Sequence, residues 1–398
     1  MDVAQAASFI TSMTYEVGFV EYEDFPQSED PVWILGSRYD TAFDLEEIKR
    51  DIRSRVWFTY RRGFMPIGGA GPTSDTGWGC MLRCGQMMLA QALLNRHVSR
   101  GWRWQPDKYD PRYHEVLRMF QDKKNSPYSI HQIANMGVSE GKAIGQWFGP
   151  NTVAQVLKKL AVYDDWSQIA IHVAMDNTVI KDDLRTLCKK DLLETKDRTG
   201  DKIKSRKNGE MALNGDGHQV AATNHWRPLL LVVPLRLGLT EINPVYIPSL
   251  KSTFSFPQSV GIIGGKPNHA HWFIGVVGED LLYLDPHTEQ PHVDITTLGT
   301  SDETFHCPYH NRLRITQLDP SVALGFFCNT EADFVNWCEQ VNKNITGNQK
   351  TPMFEVYEHR PKHWPKFEPY APPDTFQMQE SSSSEDRLFD TDEEFELL

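Results

Sequence analysis

Fifteen consecutive residues, Cys80-Met81-Leu82-Arg83-Cys84-Gly85-Gln86-Met87-Met88-Leu89-Ala90-Gln91-Ala92-Leu93-Leu94, are helix-forming and apolar on nearly every face. A surface helix carries one apolar stripe, whereas a helix that is apolar all round has to be enclosed by other elements. The chain must therefore build its core around this segment. With 398 residues, 40% hydrophobic and 11% aromatic, it has the material to do so. Those figures exclude collagen-like, wholly disordered and small disulfide-scaffold classes. At ~150 residues per domain the length admits one large domain with an insertion, or two to three small ones.

Ahead of the central helix, Leu45, Ile48, Ile52 and Val56 recur at helical spacing and predict a helix over about 44–57. Behind it, helices are expected at 113–122, 129–136 and 151–161, then a strand at 169–175 and a helix at 182–189. Residues 195–225 are polar and glycine-containing, which reads as a surface insertion or a disordered loop. The chain then turns strand-rich, at 229–235, 260–263, 271–277, 281–284 and 323–328. The third and fourth of these flank Gly278-Glu279-Asp280, a hairpin signature. A last helix opens on the capping box Thr330-x-x-Asp333 and buries Phe334, Trp337, Cys338 and Val341. Helices first and antiparallel strands later make an α+β arrangement, with the central helix packed on the sheet. The expected organisation is a mobile arm over 1–30, a body over 31–360 with a small insertion at about 165–225, and a disordered acidic tail over 361–398.

The formal charge of −12 is unevenly placed. Residues 377–398 hold eight acids and one arginine, so the body is close to neutral. Such a chain has no wide basic face with which to neutralise phosphates, and no nucleic acid is expected as a partner. No residue before Arg38 is basic, so neither a secretory signal nor a mitochondrial presequence is expected. The longest purely apolar run, 229–235, contains Pro234 and is too short to span a bilayer. The six cysteines are then expected to be reduced thiols, and the location cytoplasmic.

Two features can carry chemistry. Cys80 stands at the predicted first turn of the central helix, after Gly77-Trp78-Gly79. There the helix dipole and free backbone N–H groups lower a thiol pKa. The other reading is a small buried residue at a helix start. Asp285-Pro286-His287 directly follows a predicted strand. In extended chain, residues two apart point to one side, so a carboxylate and an imidazole are displayed together. The other reading is a turn in which Asp285 caps the backbone. Together, a helix-start cysteine and a later strand-end histidine form the layout of thiol hydrolases, in which thiolate attacks and imidazolium protonates the leaving group. Rival chemistries find less support. There is no CxxC pair, Gly264-Gly265-Lys266 is followed by proline rather than Ser/Thr, and His269-Ala270-His271 lacks nearby carboxylates in sequence. Cys84 reads as core packing, with a redox role as the alternative.

Four segments carry a family resemblance. They are Trp57-Phe58-Thr59-Tyr60-Arg61, Thr76-Gly77-Trp78-Gly79-Cys80-Met81-Leu82-Arg83-Cys84-Gly85-Gln86, Gly145-Gln146-Trp147-Phe148-Gly149-Pro150-Asn151-Thr152 and Tyr283-Leu284-Asp285-Pro286-His287. They resemble the autophagins, cysteine peptidases that process the ubiquitin-like modifiers of autophagy, and among them most the vertebrate A/B type. The resemblance implies a papain-like fold with a small inserted subdomain and no cofactor or metal. It implies Cys80 as nucleophile, His287 as general base and acid, and Asp285 as its orienter. Tyr60 matches the tyrosine that helps the Cys80 N–H bind the oxyanion. Trp147 and Pro267 match the pair that gates a slot passable only by glycine. Phe395 and Leu398 match the ends of a modifier-binding motif in the tail. The implied partners are GABARAP-type modifiers and relatives, free and lipid-conjugated. Membrane contact would be transient, through the lipidated substrate, and the enzyme a monomer. The implied reactions are trimming of the precursor to its C-terminal glycine and release of that glycine from phosphatidylethanolamine. The competing function is a non-catalytic adaptor that binds such modifiers.

Overall fold

A computed structural model describes residues 25–371, apart from 107, 190–211, 214–218, 221–225, 298–299 and 348–349. The chain enters through β1 (Val32–Ile34), β2 (Ser37–Tyr39), α1 (Leu45–Arg53) and β3 (Tyr60–Arg62). Helices α2 (Cys80–His97), α3 (Pro111–Arg118), α4 (Ile130–Gly137) and α5 (Pro150–Leu160) follow. Next come β4 (Ala170–Val173), β5 (Thr178–Ile180), α6 (Lys181–Cys188) and the short pair β6 (Ala212–Leu213) and β7 (Gln219–Val220). The strand-rich half holds β8 (Leu229–Arg236), α7 (Ile247–Thr253), β9 (Ser259–Gly264), β10 (His271–Val277), β11 (Asp280–Leu284) and β12 (Glu289–Pro291). It ends with β13 (Asn311–Arg314), β14 (Ser321–Cys328), α8 (Glu331–Val341) and β15 (Glu355–Tyr357).

A nine-stranded sheet in the order β13-β11-β10-β9-β14-β8-β4, with the β1–β2 hairpin attached to β10, forms the middle layer. Side chains along β8 show why its sequence reads as one apolar run. Leu230 and Val232 join the core on the α2 side of the sheet, while Leu229, Leu231, Val233 and Leu235 join the core on the other. A strand buried on both faces needs no polar alternation. Helices α2 and α5 pack on the first face and α7 and α8 on the second, giving an α+β molecule of three layers. Helix α2 is buried at every position from Cys80 to Leu94. Gly85 allows α5 to approach it, because a Cβ there would sit 2.7 Å from Val153 Cγ2. The hairpin at Gly278-Glu279 forms, with Val277 paired to Asp280. The capping box also forms: Thr330 Oγ1 accepts from the Asp333 N–H at 3.1 Å and Asp333 Oδ2 accepts from the Thr330 N–H at 2.8 Å.

The structure departs from expectation in four places. Helix α1 stops at Arg53 because Arg55 turns inward to Asp51 and Gln91, each at 3.0 Å, and Val56 then bridges to His306. Three pairings run parallel (β4 with β8, β12 with β3, β15 with β5), a direction that an apolar run does not encode. Residues 165–189, assigned above to the insertion, carry β4 along the edge of the central sheet and α6 beside it. The described ends pack on the body as well. Phe25 is buried, edge-on to His310, and Phe367 lies 5.8 Å from the ring of His172. Residues 1–24 of the arm, most of the polar stretch after Lys189 and the tail motif Phe395 and Leu398 lie outside the described residues.

Candidate active site

Cys80 is the first residue of α2. Backbone N–H groups there have no intrahelical partner, and the helix dipole presents its positive end. Asp75 holds the approach. Its carbonyl accepts from the Gly79 N–H at 2.8 Å, and its carboxylate accepts from the Arg61 N–H at 2.7 Å and from Arg83 Nε and Nη2 at 2.8 and 3.0 Å. A Cβ on residue 79 would collide with that carboxylate, so the position before the thiol takes only glycine.

His287 arrives from the far end of β11. The turn is pinned at two carbonyls: Trp57 Nε1 donates to Asp285 O at 2.7 Å, and the Tyr60 N–H donates to Pro286 O at 2.8 Å. The two readings of Asp285 turn out to be compatible. Its Oδ1 accepts the backbone N–H of His287 at 2.9 Å and lies 2.5 Å from the ring Nδ1. The carboxylate caps the turn and orients the imidazole with one oxygen. That leaves Nε2 for Cys80, with which the ring is within hydrogen-bonding reach.

Charge follows from this packing. Burial alone would raise the Cys80 thiol, but the hydrogen bond and charge of His287, then hydrogen bonds from Tyr60 and Trp147, bring it below its ordinary value. Burial would likewise lower His287, but Asp285 and Cys80 raise it to about 10. Burial pushes Asp285 up, but the hydrogen bond from the His287 ring, then the charges of His271 and His287, more than reverse it, leaving the carboxyl below its usual range. Both shifts favour a thiolate–imidazolium pair backed by a carboxylate. Tyr60 is pushed far up, by burial first and then by the Cys80 charge, and so remains a neutral hydroxyl that can donate. The other five thiols all move the opposite way. Burial pushes Cys188 and Cys307 up to about 12 and Cys338 to about 11, and Cys84 and Cys328 well above the ordinary value. All six cysteines carry free thiols.

Sequence-predicted residues therefore converge: Cys80, Asp285, His287, Tyr60 and Trp147 share one site. Pro267 is exposed on the loop between β9 and β10. The loop also borders a cavity of about 400 Å³ that runs from Gly265 and His271 to Glu241, Leu313 and Asp319 and is not lined by Cys80, Trp147 or His287. Cys80 and His287 are 0% and 1% exposed. Sequence reasoning gave no site role to Trp57, Asp75 or Arg83, and read His271 only against a metal site. What Trp57 and His271 do depends on partners brought near by the fold. His271, Asp285 and His287 place donor atoms within 4.8 Å of one another, a grouping that could hold a metal ion among the described residues. Two of the three are already bonded to each other, which favours a hydrogen-bonded relay. His269, the neighbour considered above as a co-ligand, is not part of that grouping.

A helix-start thiol facing an imidazole, on a helix layer packed against a sheet, is the arrangement of a thiol peptidase of the papain type. A model of the peptidase C54 catalytic domain matches residues 45–340. The chain is 52% identical over 397 residues to cysteine protease ATG4B of Gallus gallus, covering 97% of this chain and 98% of that protein. It is 51% identical to cysteine protease ATG4A of Xenopus laevis and 50% identical to cysteine protease ATG4A of Homo sapiens, each over 387 residues and 96% of both chains. The chain belongs to the peptidase C54 family and is a cysteine peptidase. Among the described residues no helix is long and apolar enough to cross a membrane.

Proposed function

We propose that this peptidase cleaves after the C-terminal glycine of ubiquitin-like autophagy modifiers, both priming the precursor and releasing the glycine from phosphatidylethanolamine. The observation that carries this reading is the Cys80 thiol, lowered by His287 at the start of α2 in a chain half identical to proteins named for autophagy-related cysteine proteases. The Cys80 thiolate attacks the glycyl carbonyl carbon, and the carbonyl π electrons move onto oxygen. The Cys80 N–H and the Tyr60 hydroxyl donate to that oxyanion. His287 gives its proton to the departing nitrogen, which leaves as an amine, either the next residue of the precursor or the ethanolamine of the lipid. Water, deprotonated by His287, then attacks the thioester, and the thiolate departs to leave a free glycine carboxylate.

Trp147, near enough to the thiol to bond it, is one wall of the proposed slot, and the loop from Gly264 to Pro267 is the other. A tail passing between an indole and a proline ring has no room for a Cβ, which selects glycine. Closure of both catalytic groups from solvent fits a loop that must lift. Phe395 and Leu398 would anchor the modifier by adding an extended strand and filling two apolar pockets. The modifier contact would be the whole of any membrane association, with the enzyme acting as a cytoplasmic monomer.

The test is incubation with a modifier precursor bearing a C-terminal reporter, beside Cys80→Ala. The parent is expected to release the reporter and leave a product ending in glycine, while Cys80→Ala binds without release. Equal release by both would remove Cys80 from the mechanism.

A further inference from the structure

The carboxylate of Asp285 has a second imidazole beside it. Trp272 of β10 pairs with Leu284 of β11, so the next step of this antiparallel ladder sets His271 beside Asp285. His271 Nε2 lies 3.9 Å from Asp285 Oδ1, the same oxygen that serves His287. The His271 ring is held at 4.4 Å from Tyr283, 5.9 Å from Phe273 and edge-on at 5.5 Å from His287. It is therefore a fixed wall on one flank of the Asp285–His287 pair.

We propose that His271 is a positioning residue for the peptidase reaction, its Nε2 edge keeping the Asp285 carboxylate turned toward Nδ1 of His287. The 3.9 Å separation is longer than a hydrogen bond, so the ring acts by its dipole and its bulk. A carboxylate bonded at one oxygen can swing about its last torsion, and an imidazole ring on its flank removes that freedom. The residue type matters because a second cation here would compete with His287 for Asp285. Burial pushes His271 down to about 4, with Asp285 opposing and His287 and His269 reinforcing, so it stays neutral while His287 is charged. A neutral ring whose dipole faces a carboxylate steadies the anion without competing with the imidazolium. A phenylalanine would supply the bulk but not the dipole.

The inference rests on the reading of Cys80, His287 and Asp285 as the reacting groups, and the test separates the two. His271→Phe and His271→Gln are compared with the parent and with Cys80→Ala. One readout is kcat and KM for reporter release. The other needs no substrate: the pH dependence of Cys80 alkylation by iodoacetamide, read by mass on the Cys80 peptide. In His271→Phe, kcat is expected to fall by at least about tenfold with KM unchanged, against the ~10²–10⁴-fold worth of the general acid–base itself. The alkylation plateau should narrow, its acid limb moving up and its basic limb down, since a wandering carboxylate stabilises the ion pair less. His271→Gln, whose amide nitrogen reaches toward Asp285, should recover most of both. Should the Phe variant not fold, His271→Asn takes its place with the same expectation, its amide being too short to reach. Wild-type kcat and limbs in His271→Phe overturn the inference. So does equal loss in the Phe and Gln variants with limbs unmoved, which would mark a merely structural residue. Release by Cys80→Ala would instead overturn the reading of the site.

Discussion

Oδ1 of Asp285 binds His287 twice, at the backbone N–H (2.9 Å) and at ring Nδ1 (2.5 Å). Pro286 stands between them, and its carbonyl is taken by the Tyr60 N–H, so the turn, the Asp285 carboxylate and the strand that carries Tyr60 are tied together. Residues only two apart can thus serve as base and orienter, because the cap of the turn and the grip on the ring use the same atom.

Asp285→Asn keeps the shape of that unit and removes its charge. An amide oxygen can still accept the backbone N–H, but the imidazolium loses its counter-ion. We expect kcat to fall by roughly 10³–10⁴-fold, the range for charge loss at this position of a triad. Folding should be nearly unaffected, and circular dichroism melts beside steady-state rates measure both. A loss below tenfold would mean that the carboxylate only caps the turn.

The opposed shifts of Cys80 and His287 define a pH window. Thiolate and imidazolium coexist from the lowered thiol value up to about pH 10, where His287 loses its proton. His287 is raised on folding, so the stability it contributes is complete below its ordinary pKa and disappears as pH rises through about 10. Asp285 is lowered, so its share is complete above the ordinary carboxylate pKa and is lost on acidification. Iodoacetamide at pH 6 should accordingly label Cys80 ahead of the other five thiols, all of which are raised. Peptide mass mapping after partial labelling checks this, and prior labelling of Cys338, the least buried, would count against it.

Tyr60→Phe isolates one donor. The ring sits edge-on to His287 at 5.6 Å, and phenylalanine preserves that contact while deleting the hydroxyl. Loss of one oxyanion donor costs ~10²–10³-fold in kcat with little change in KM. Single-turnover measurement should place the whole loss in acylation and deacylation rather than binding. An unchanged kcat would leave the Cys80 N–H as sole donor.

How much of this was written in the sequence depends on the range of each interaction. Helix α2 was legible because an all-round apolar segment has one physical solution. The β10–β11 hairpin and the capping box at Thr330 were legible because their partners lie within a few residues. Cys80 and His287 were legible as types in suggestive places, but their approach across the molecule was not. Trp57 holds the Asp285 carbonyl over 228 residues of chain, and no local pattern announces it. The strand at β4 was legible, but its parallel seat on the edge of the central sheet was not, because β8, its partner among the described residues, comes far later in the chain. His271 read as an ordinary strand histidine until the ladder set it beside Asp285.

Thr330→Ala tests a part of the fold remote from chemistry. The reciprocal bonds of the capping box are exposed, so the loss is that of a helix cap, about 1 kcal/mol by urea unfolding. Activity at moderate temperature should be unchanged. A much larger loss would show that α8 depends on its cap more than on buried Phe334 and Trp337.

Arg83→Met should join stability to activity. Arg83 is one turn into α2 and almost fully buried, and it bridges Asp75 and Asp122, each at 2.8 Å. The charge of Arg83, then hydrogen bonds from His292 and Arg83 and the charge of Arg61, outweigh burial and hold the Asp122 carboxyl down at about 2. Removing the guanidinium strands two buried carboxylates, which costs about 3–5 kcal/mol. The loss should not stop there. Asp75 also takes the Arg61 N–H, next to Tyr60, and the Gly79 N–H, next to Cys80. Asp75 released from Arg83 would loosen the backbone at both Cys80 and Tyr60, the proposed nucleophile and oxyanion donor, so kcat should fall even in the fraction that remains folded. Arg83→Lys restores charge but not the two-pronged fork, so it should recover more stability than kcat. Active-site titration beside urea unfolding separates the two quantities. Full specific activity per folded Arg83→Met molecule would confine this ion pair to stability alone.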